Sequence, residues 1–143
     1  MPYRYLEDIA IADVAFEAWG DSVEALFEAA AEATLGAMVE DPASVAGVER
    51  REVRVEKAAL DLLLHGFLEE IVFHKDADSL FLRPHELSIR RLPEGFELTG
   101  VFAGEPIDPA KHEIITDVKA VTLHHLEVKE TARGWEARVI LDV

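Results

Sequence analysis

Two aspartates near opposite ends of the chain have the chemistry to bind a cation. Asp142 lies in a predicted final strand, on the side away from the expected core, and is followed by Val143, whose α-carboxylate adds further oxygens. Asp13 lies in an early predicted strand, also on the side away from the core. If these strands were neighbours, three acidic groups would converge, and a hard cation such as Ca²⁺ or Mg²⁺ prefers such oxygen ligands. The same residues also fit two solvated aspartates beside a frayed terminus, so the pattern alone leaves both interpretations open.

Lys119 and His112 are further candidates for contact with a partner or a nucleotide. The ammonium group of Lys119 could meet a phosphate or a partner's carboxylate, or it could simply be the solvated edge of a strand. His112 lies beside Lys111 in a long loop. There it could act as a ligand or proton carrier, although a loop histidine is more often a surface residue. His124 and His125 are adjacent in a predicted strand, so they point to opposite faces and do not easily share one ion.

The sequence lacks the motifs of covalent and phosphate-transfer chemistry. There are 0 cysteines, which excludes disulfides, thiolate metal sites and thiol catalysis. There is also no nucleophilic serine motif, no glycine-rich phosphate loop and no carboxylate pair with a clear acid–base relation. The sequence therefore predicts a protein that works through binding and has no active site of its own.

The charge of the chain is strongly negative. There are 29 acidic and 14 basic residues, giving a formal net charge of −15. The densest basic runs are only Arg50-Arg51 and Arg90-Arg91. A protein that grips nucleic acid usually has a basic face, so we expect no direct nucleic-acid binding. An acidic surface favours cations and basic protein surfaces instead, although it could also serve only solubility.

Length and hydropathy predict one domain that spans residues 1–143. The chain has 143 residues, of which 50% are hydrophobic, enough for a core of its own. No apolar run approaches the length of a membrane span, and the N-terminus lacks the order of a secretion signal. We therefore expect a cytoplasmic protein without a membrane partner.

Periodicity predicts two helices among several strands. The first helix, about residues 22–39, follows a capping box formed by Asp21 and Glu24. The second begins near Leu60 and closes near residues 75–76, and it carries a more apolar stripe. Predicted strands cover residues 12–20, 48–57, 80–82, 86–92, 96–103, 119–129 and 135–143, with a loop over 104–113.

This element order indicates an α+β fold. Most strands follow one another through short turns, which is typical of antiparallel pairing. Strand 48–57 alternates charged residues with valines and is expected at a sheet edge. The fold predicted is two helices packed on one face of a mostly antiparallel β-sheet, in a single domain.

Several short motifs run along the chain in a fixed order. They are Tyr5-Leu6-Glu7-Asp8, Ala12-Asp13-Val14, Ala18-Trp19-Gly20-Asp21-Ser22, Gly104-Glu105, Lys111-His112-Glu113, Asp117-Val118-Lys119-Ala120-Val121-Thr122 and Val139-Ile140-Leu141-Asp142-Val143. Their order and approximate spacing resemble the archease family, nearly from end to end.

The resemblance implies an accessory factor of the GTP-dependent tRNA-splicing RNA ligase. Archeases promote guanylylation of the ligase's active-site histidine and give the ligase multiple turnover. On this resemblance Asp13, Asp142 and Val143 correspond to the family's cation site, and Lys119 matches a lysine of its Lys-Ala-(Val/Ile)-Thr motif. The implied cofactor is a divalent cation, Ca²⁺ or Mg²⁺, and the implied partner is the ligase.

The sequence departs from the family pattern in two places. The usual opening, Asp-His-Thr-Ala-Asp, is replaced by a longer stretch from Asp8 to Asp13 without a histidine. The usual Gly-Thr-Glu is replaced by Ile115-Thr116-Asp117, which keeps the acid and loses the glycine.

Two alternative functions remain open. One is a chaperone of an RNA-modifying enzyme, for example a tRNA methyltransferase, with a structural cation. The other is a metal-dependent hydrolase that uses the same carboxylates.

Overall fold

The computed structural model describes residues 2–6 and 13–143, in which two helices and eight strands are found. The helices are α1 (Val23–Met38) and α2 (Leu60–Asp78), with a short 3₁₀ helix at Pro42–Ser44. The strands are β1 (Tyr3–Leu6), β2 (Asp13–Gly20), β3 (Glu49–Lys57), β4 (Leu80–Leu92), β5 (Gly95–Pro106), β6 (Ala120–Val121), β7 (Glu127–Thr131) and β8 (Gly134–Asp142). Neither helix is long and apolar enough to cross a membrane.

The strands form two antiparallel sheets. One has five strands in the order β1-β2-β8-β6, with β7 also pairing with β8, and the other has three in the order β3-β5-β4. The predicted α+β class with two helices and antiparallel strands is confirmed, and so is the edge position of β3. The expectation of a single sheet is wrong, because β2 pairs with β8 and not with any strand from the middle of the chain.

Aromatic rings join the helices to the three-stranded sheet. Phe67 of α2 lies between Phe27 of α1 and Phe102 of β5, with ring centroids 5.7 Å and 5.4 Å away. All three side chains are fully buried. Rings at these separations gain favourable contacts beyond the burial of their area. This column fixes the position of α2, which in turn supports the segment that precedes β6.

Some local predictions need correction. Ser22, and not Asp21, caps α1, because its hydroxyl accepts a hydrogen bond from the Ala25 amide at 3.1 Å. The predicted strand 119–129 is interrupted between β6 and β7, where His125 has a left-handed φ of 54°. The predicted loop 104–113 begins only after Pro106.

Gly104 explains why β5 continues farther than predicted. A Cβ placed on Gly104 would lie 1.8 Å from the Phe81 carbonyl oxygen of β4. Only glycine allows the two strands to approach this closely. The strand pair can therefore extend past Gly104, where the sequence pattern indicated a loop.

Candidate metal centre

Asp13 and Asp142 lie directly opposite each other across the β2–β8 pair. Their neighbours in register, Val14 and Leu141, point into the core, so the aspartates lie on the opposite, outer face. Both aspartates are half-buried. Direct cross-strand partners have Cβ atoms about 4.5–5.5 Å apart, so the two carboxylates can reach one ion. The structure thus makes neighbours of two residues that are almost a chain length apart.

Lys119 is brought to the same edge by β6. Its backbone amide donates to the carbonyl oxygen of Asp142 at 2.8 Å, and the next residue, Ala120, is the cross-strand partner of Asp142. The Lys119 side chain is exposed and makes no ion pair with any residue in 2–6 or 13–143. Val143 follows directly, with its side chain packed against the core.

The donor chemistry of this edge fits a hard divalent cation. Two like charges directly opposite on a sheet destabilise the pairing, and a cation between Asp13 and Asp142 would offset that repulsion. Within the described chain, no group of three or more His, Cys, Asp or Glu side chains lies close enough to hold a metal. The two carboxylates therefore need other oxygens, for which Val143 and solvent are the candidates.

Lys75 is a buried charged residue that is not among the sequence-predicted site residues. It belongs to α2, and its side chain is only 6% exposed. Its ammonium group donates to Asp117 at 2.5 Å and to the Val118 carbonyl at 2.7 Å, and it forms an ion pair with Asp76 at 2.6 Å. Burial alone would lower the pKa of Lys75, but the bonds to Asp117 and Asp76 outweigh it and raise the pKa above its ordinary value.

A sequence signal for Lys75 does exist. Leu68, Ile71 and Val72 belong to the apolar stripe of α2. Lys75 follows Ile71 by four residues and Val72 by three, so it lies on the same face. The predicted end of the helix falls near residues 75–76, so the pattern was not followed as far as Lys75. A lysine in phase with a buried stripe indicates a buried cation with a partner.

Two α2 residues hold β6 in place. His65 Nε2 lies 2.7 Å from the Val121 carbonyl oxygen, and the Glu69 carboxylate accepts from the Val121 amide at 3.3 Å. Helix α2, which carries Lys75, therefore supports the strand that pairs with the end of β8 at Asp142.

His112 is not a surface residue, so the expectation drawn from its loop position is wrong. Its side chain is 0% exposed and packs edge-on against Phe81, with ring centroids 5.2 Å apart. Nδ1 accepts from the Asp108 amide at 2.9 Å, so Nε2 carries the proton and donates to Glu105 at 3.1 Å. Both ring nitrogens are satisfied inside the protein, which leaves His112 a structural role and no exposed atom for a partner.

Comparison with known proteins places the chain in a family. A model of the archease protein family matches residues 3–143. The archease of Methanopyrus kandleri is 36% identical over 143 residues, a match that covers 100% of both chains. The archease of Pyrococcus abyssi is 37% identical over 136 residues, 92% of this chain and 93% of the relative. The chain belongs to the archease family.

Two solved structures share the archease fold. The solution structure of protein 1598 from Methanobacterium thermoautotrophicum superposes with a TM-score of 0.84 at 33% identity, covering 99% of each chain. The Thermotoga maritima archease, described as a possible chaperone, gives a TM-score of 0.60 at 20% identity over 98% of this chain and 100% of that one. The second likeness concerns the fold alone.

The archease sheet also carries a groove on its outer face, about 590 Å³ in volume. Its floor is a ladder of alternating charge, in which Arg4, Glu17, Arg138 and Glu127 are successive cross-strand partners on β1, β2, β8 and β7. Bonds from Arg4 and then Arg138 lower the pKa of Glu17 despite its partial burial. Because neighbouring charges are opposite, the ladder supports strand pairing and needs no ligand to balance it.

Proposed function

We propose that this chain is an accessory factor that activates the GTP-dependent tRNA-splicing RNA ligase. It would promote guanylylation of the ligase's active-site histidine and give the ligase multiple turnover. Membership of the archease family supports the proposal, as does one observation above the others: the facing pair of Asp13 and Asp142, with Lys119 at the same edge. At this strand end the two facing aspartates lie close to the backbone of the exposed Lys119.

In this mechanism, Asp13 and Asp142 would hold a divalent cation together with the α-carboxylate of Val143. When bound, the cation would neutralise charge on phosphate oxygens that enter the ligase site. The exposed Lys119 ammonium would contact a phosphate of GTP or a ligase carboxylate. These residues would orient the phosphate groups and neutralise their charge, and the ligase would supply the nucleophile.

The net charge of −15 supports docking on a basic partner. A ligase that holds RNA and GTP must present a positively charged channel, because both substrates are polyanions. An acidic protein is steered toward such a channel by long-range attraction, and the rate of association falls as salt screens the charges. The pair of facing aspartates would lie at the docking edge.

The test is guanylylation of the cognate ligase by labelled GTP. Wild type, Asp13→Ala and Asp142→Ala are compared as additives, with Glu94→Ala on the β4–β5 turn as the control that removes one negative charge elsewhere. We expect stimulation by wild type and by the control, and loss of stimulation by the two aspartate variants while they remain folded. Wild-type protein that leaves guanylylation unchanged would refute the proposal.

A chaperone role is the second candidate, because the related Thermotoga protein is described as a possible chaperone. In that role the protein would control the assembly of an RNA-modifying enzyme, and the cation would be structural. Static light scattering of such an enzyme with and without this chain separates the two roles. A change in the enzyme's association state, without any effect on ligase guanylylation, would favour the chaperone.

A further inference from the structure

We propose that Lys75 and Asp117 act as a positioning pair that fixes the segment carrying Lys119 against Asp142. The activity part of this inference rests on the proposed function. The structural part concerns only how residues 116–119 are held, and it can be tested without the ligase.

The Lys75 ammonium group contacts three oxygen partners. It donates hydrogen bonds to Asp117 and to the Val118 carbonyl, and it forms an ion pair with Asp76. Asp76 belongs to α2 itself, so both hydrogen bonds cross to the segment before β6. Lys75 therefore links α2 directly to that segment.

The segment depends on this link because it has few others. Ile114 bridges to Val39, and the Ile115 amide donates to the Met38 carbonyl at 2.8 Å. The next backbone bond is that of Lys119 to Asp142. Between them, the hydrogen bonds from described residues to positions 116–118 come from Lys75, and burial of the Val118 side chain adds the remaining anchor.

A path of direct contacts thus runs from α2 to the facing aspartates. Lys75 holds Asp117 and Val118, and the adjoining Lys119 amide is bonded to Asp142, which faces Asp13. If the bonds from Lys75 to Asp117 and Val118 are lost, the direction in which the Lys119 side chain leaves the sheet is no longer fixed.

Stability alone does not explain a lysine at position 75. Replacing a buried ion pair by apolar groups of similar volume is often neutral or stabilising. A methionine would continue the apolar stripe of α2 without any cost of burying charge. We infer that the charge is kept because directed bonds hold the segment in one position, which apolar contact does not do.

The experiment compares Lys75→Met, Asp117→Asn and Asp117→Glu with wild type. Asp117 is 64% exposed, so substitutions there should leave the core intact. They therefore still test the pair if Lys75→Met disturbs the core. The first readout is hydrogen exchange of the Lys119 amide, measured by NMR against the Phe16 amide of β2 as an internal reference. The second is ligase guanylylation at saturating additive. Lys129→Met, an exposed lysine on β7, is the matched control.

For Lys75→Met and Asp117→Asn we expect the Lys119 amide to exchange about tenfold faster relative to the Phe16 amide. Stimulation of the ligase should fall about tenfold, the usual loss when a residue that orients a functional side chain is removed. Asp117→Glu and the control should behave as wild type. Unchanged exchange in both variants would overturn the positioning role, and loss of stimulation without faster exchange would make Asp117 a direct contact instead. If wild type itself fails to stimulate the ligase, the proposed function fails, while the exchange result still decides the positioning role.

Discussion

Asp13 and Asp142 are direct cross-strand partners, although they lie near opposite ends of the chain. Nearly the whole fold is built between them, and the pairing of β2 with β8 closes it. Like charges that face each other on a sheet weaken the pairing, here at the end of β8 where the C-terminus lies. A fold that keeps such a pair pays for it in stability, which is the expected behaviour of a binding site and not of a structural contact.

The first prediction follows from this repulsion. Asp13→Asn should raise stability by a few tenths to about 1 kcal/mol in the presence of a chelator, because it removes one of two facing charges. If the pair binds a cation, millimolar Ca²⁺ or Mg²⁺ should stabilise wild type, by about 2.7 kcal/mol when the cation is at 100 times its Kd, and the variant should lose this stabilisation. Thermal unfolding with chelator and with each cation measures both effects.

Glu94→Gln is the control for this experiment, since it removes a charge from an exposed turn. It should respond to cations as wild type does. A variant of Asp13 that is destabilised in chelator, or that keeps the full cation response, would contradict a site shared with Asp142.

The second prediction concerns Lys119. Because its side chain is exposed and has no ion-pair partner among the described residues, Lys119→Ala should change stability by no more than about 0.5 kcal/mol. Guanylylation of the ligase should fall about tenfold or more, the cost of one charged hydrogen bond. Lys119→Arg keeps the charge and should retain part of the effect. Equal loss with Lys129→Ala would show that only the overall charge matters.

The elements with strong periodicity could be predicted from the sequence. Both helices and the edge position of β3 follow from the spacing of apolar residues, which local physics dictates. The outer faces of β2 and β8 also follow, since alternation in a strand fixes which side chains point away from the core. Alternation does not show which strand a given strand pairs with. The pairing of Asp13 with Asp142 is therefore seen only in the three-dimensional fold.

The errors have physical causes as well. His112 was expected at the surface because a loop histidine is more often a surface residue, but its ring packs against Phe81 and donates a hydrogen bond to Glu105. The break between β6 and β7 depends on a left-handed residue, His125, whose conformation no side-chain pattern announces. The sequence-predicted cation ligands at Asp13, Asp142 and Val143 remain a prediction. The stretch that precedes Asp13, with Asp8 in it, lies outside the described residues.

The third prediction tests the structural role of His112. His112→Ala removes two buried hydrogen bonds and the contact with Phe81, so the free energy of unfolding should fall by about 2–4 kcal/mol. Urea unfolding followed by circular dichroism measures it. Below the unfolding temperature, stimulation of the ligase should remain, because the ring reaches no partner. His124→Ala, at an exposed position, should have little effect on stability. Lost stimulation in a stable His112 variant would restore it as a contact residue.

The fourth prediction is a pH dependence that originates at Glu105. The Lys111 ammonium, at 2.7 Å, and the Ala46 amide, at 2.6 Å, both donate to this carboxylate. With a smaller contribution from His112, they outweigh the effect of burial and lower the pKa of Glu105 from 4.5 to about 2. The folded state therefore binds this proton less readily than the unfolded chain does. The resulting stabilisation is complete above pH 4.5, declines as the pH falls from 4.5 toward 2, and is gone below.

Glu105→Gln removes this titration without removing the side chain. The variant should be less stable than wild type at pH 7, and the difference should shrink as the pH falls through the window set by the two pKa values, because protonation takes the same charge from wild type. Urea unfolding at a series of pH values gives both curves. Glu94→Gln should run parallel to wild type, since its carboxylate is exposed on a turn. If the Glu105→Gln curve also ran parallel to wild type, the bonds from Lys111 and Ala46 would not be holding the carboxylate in its charged form.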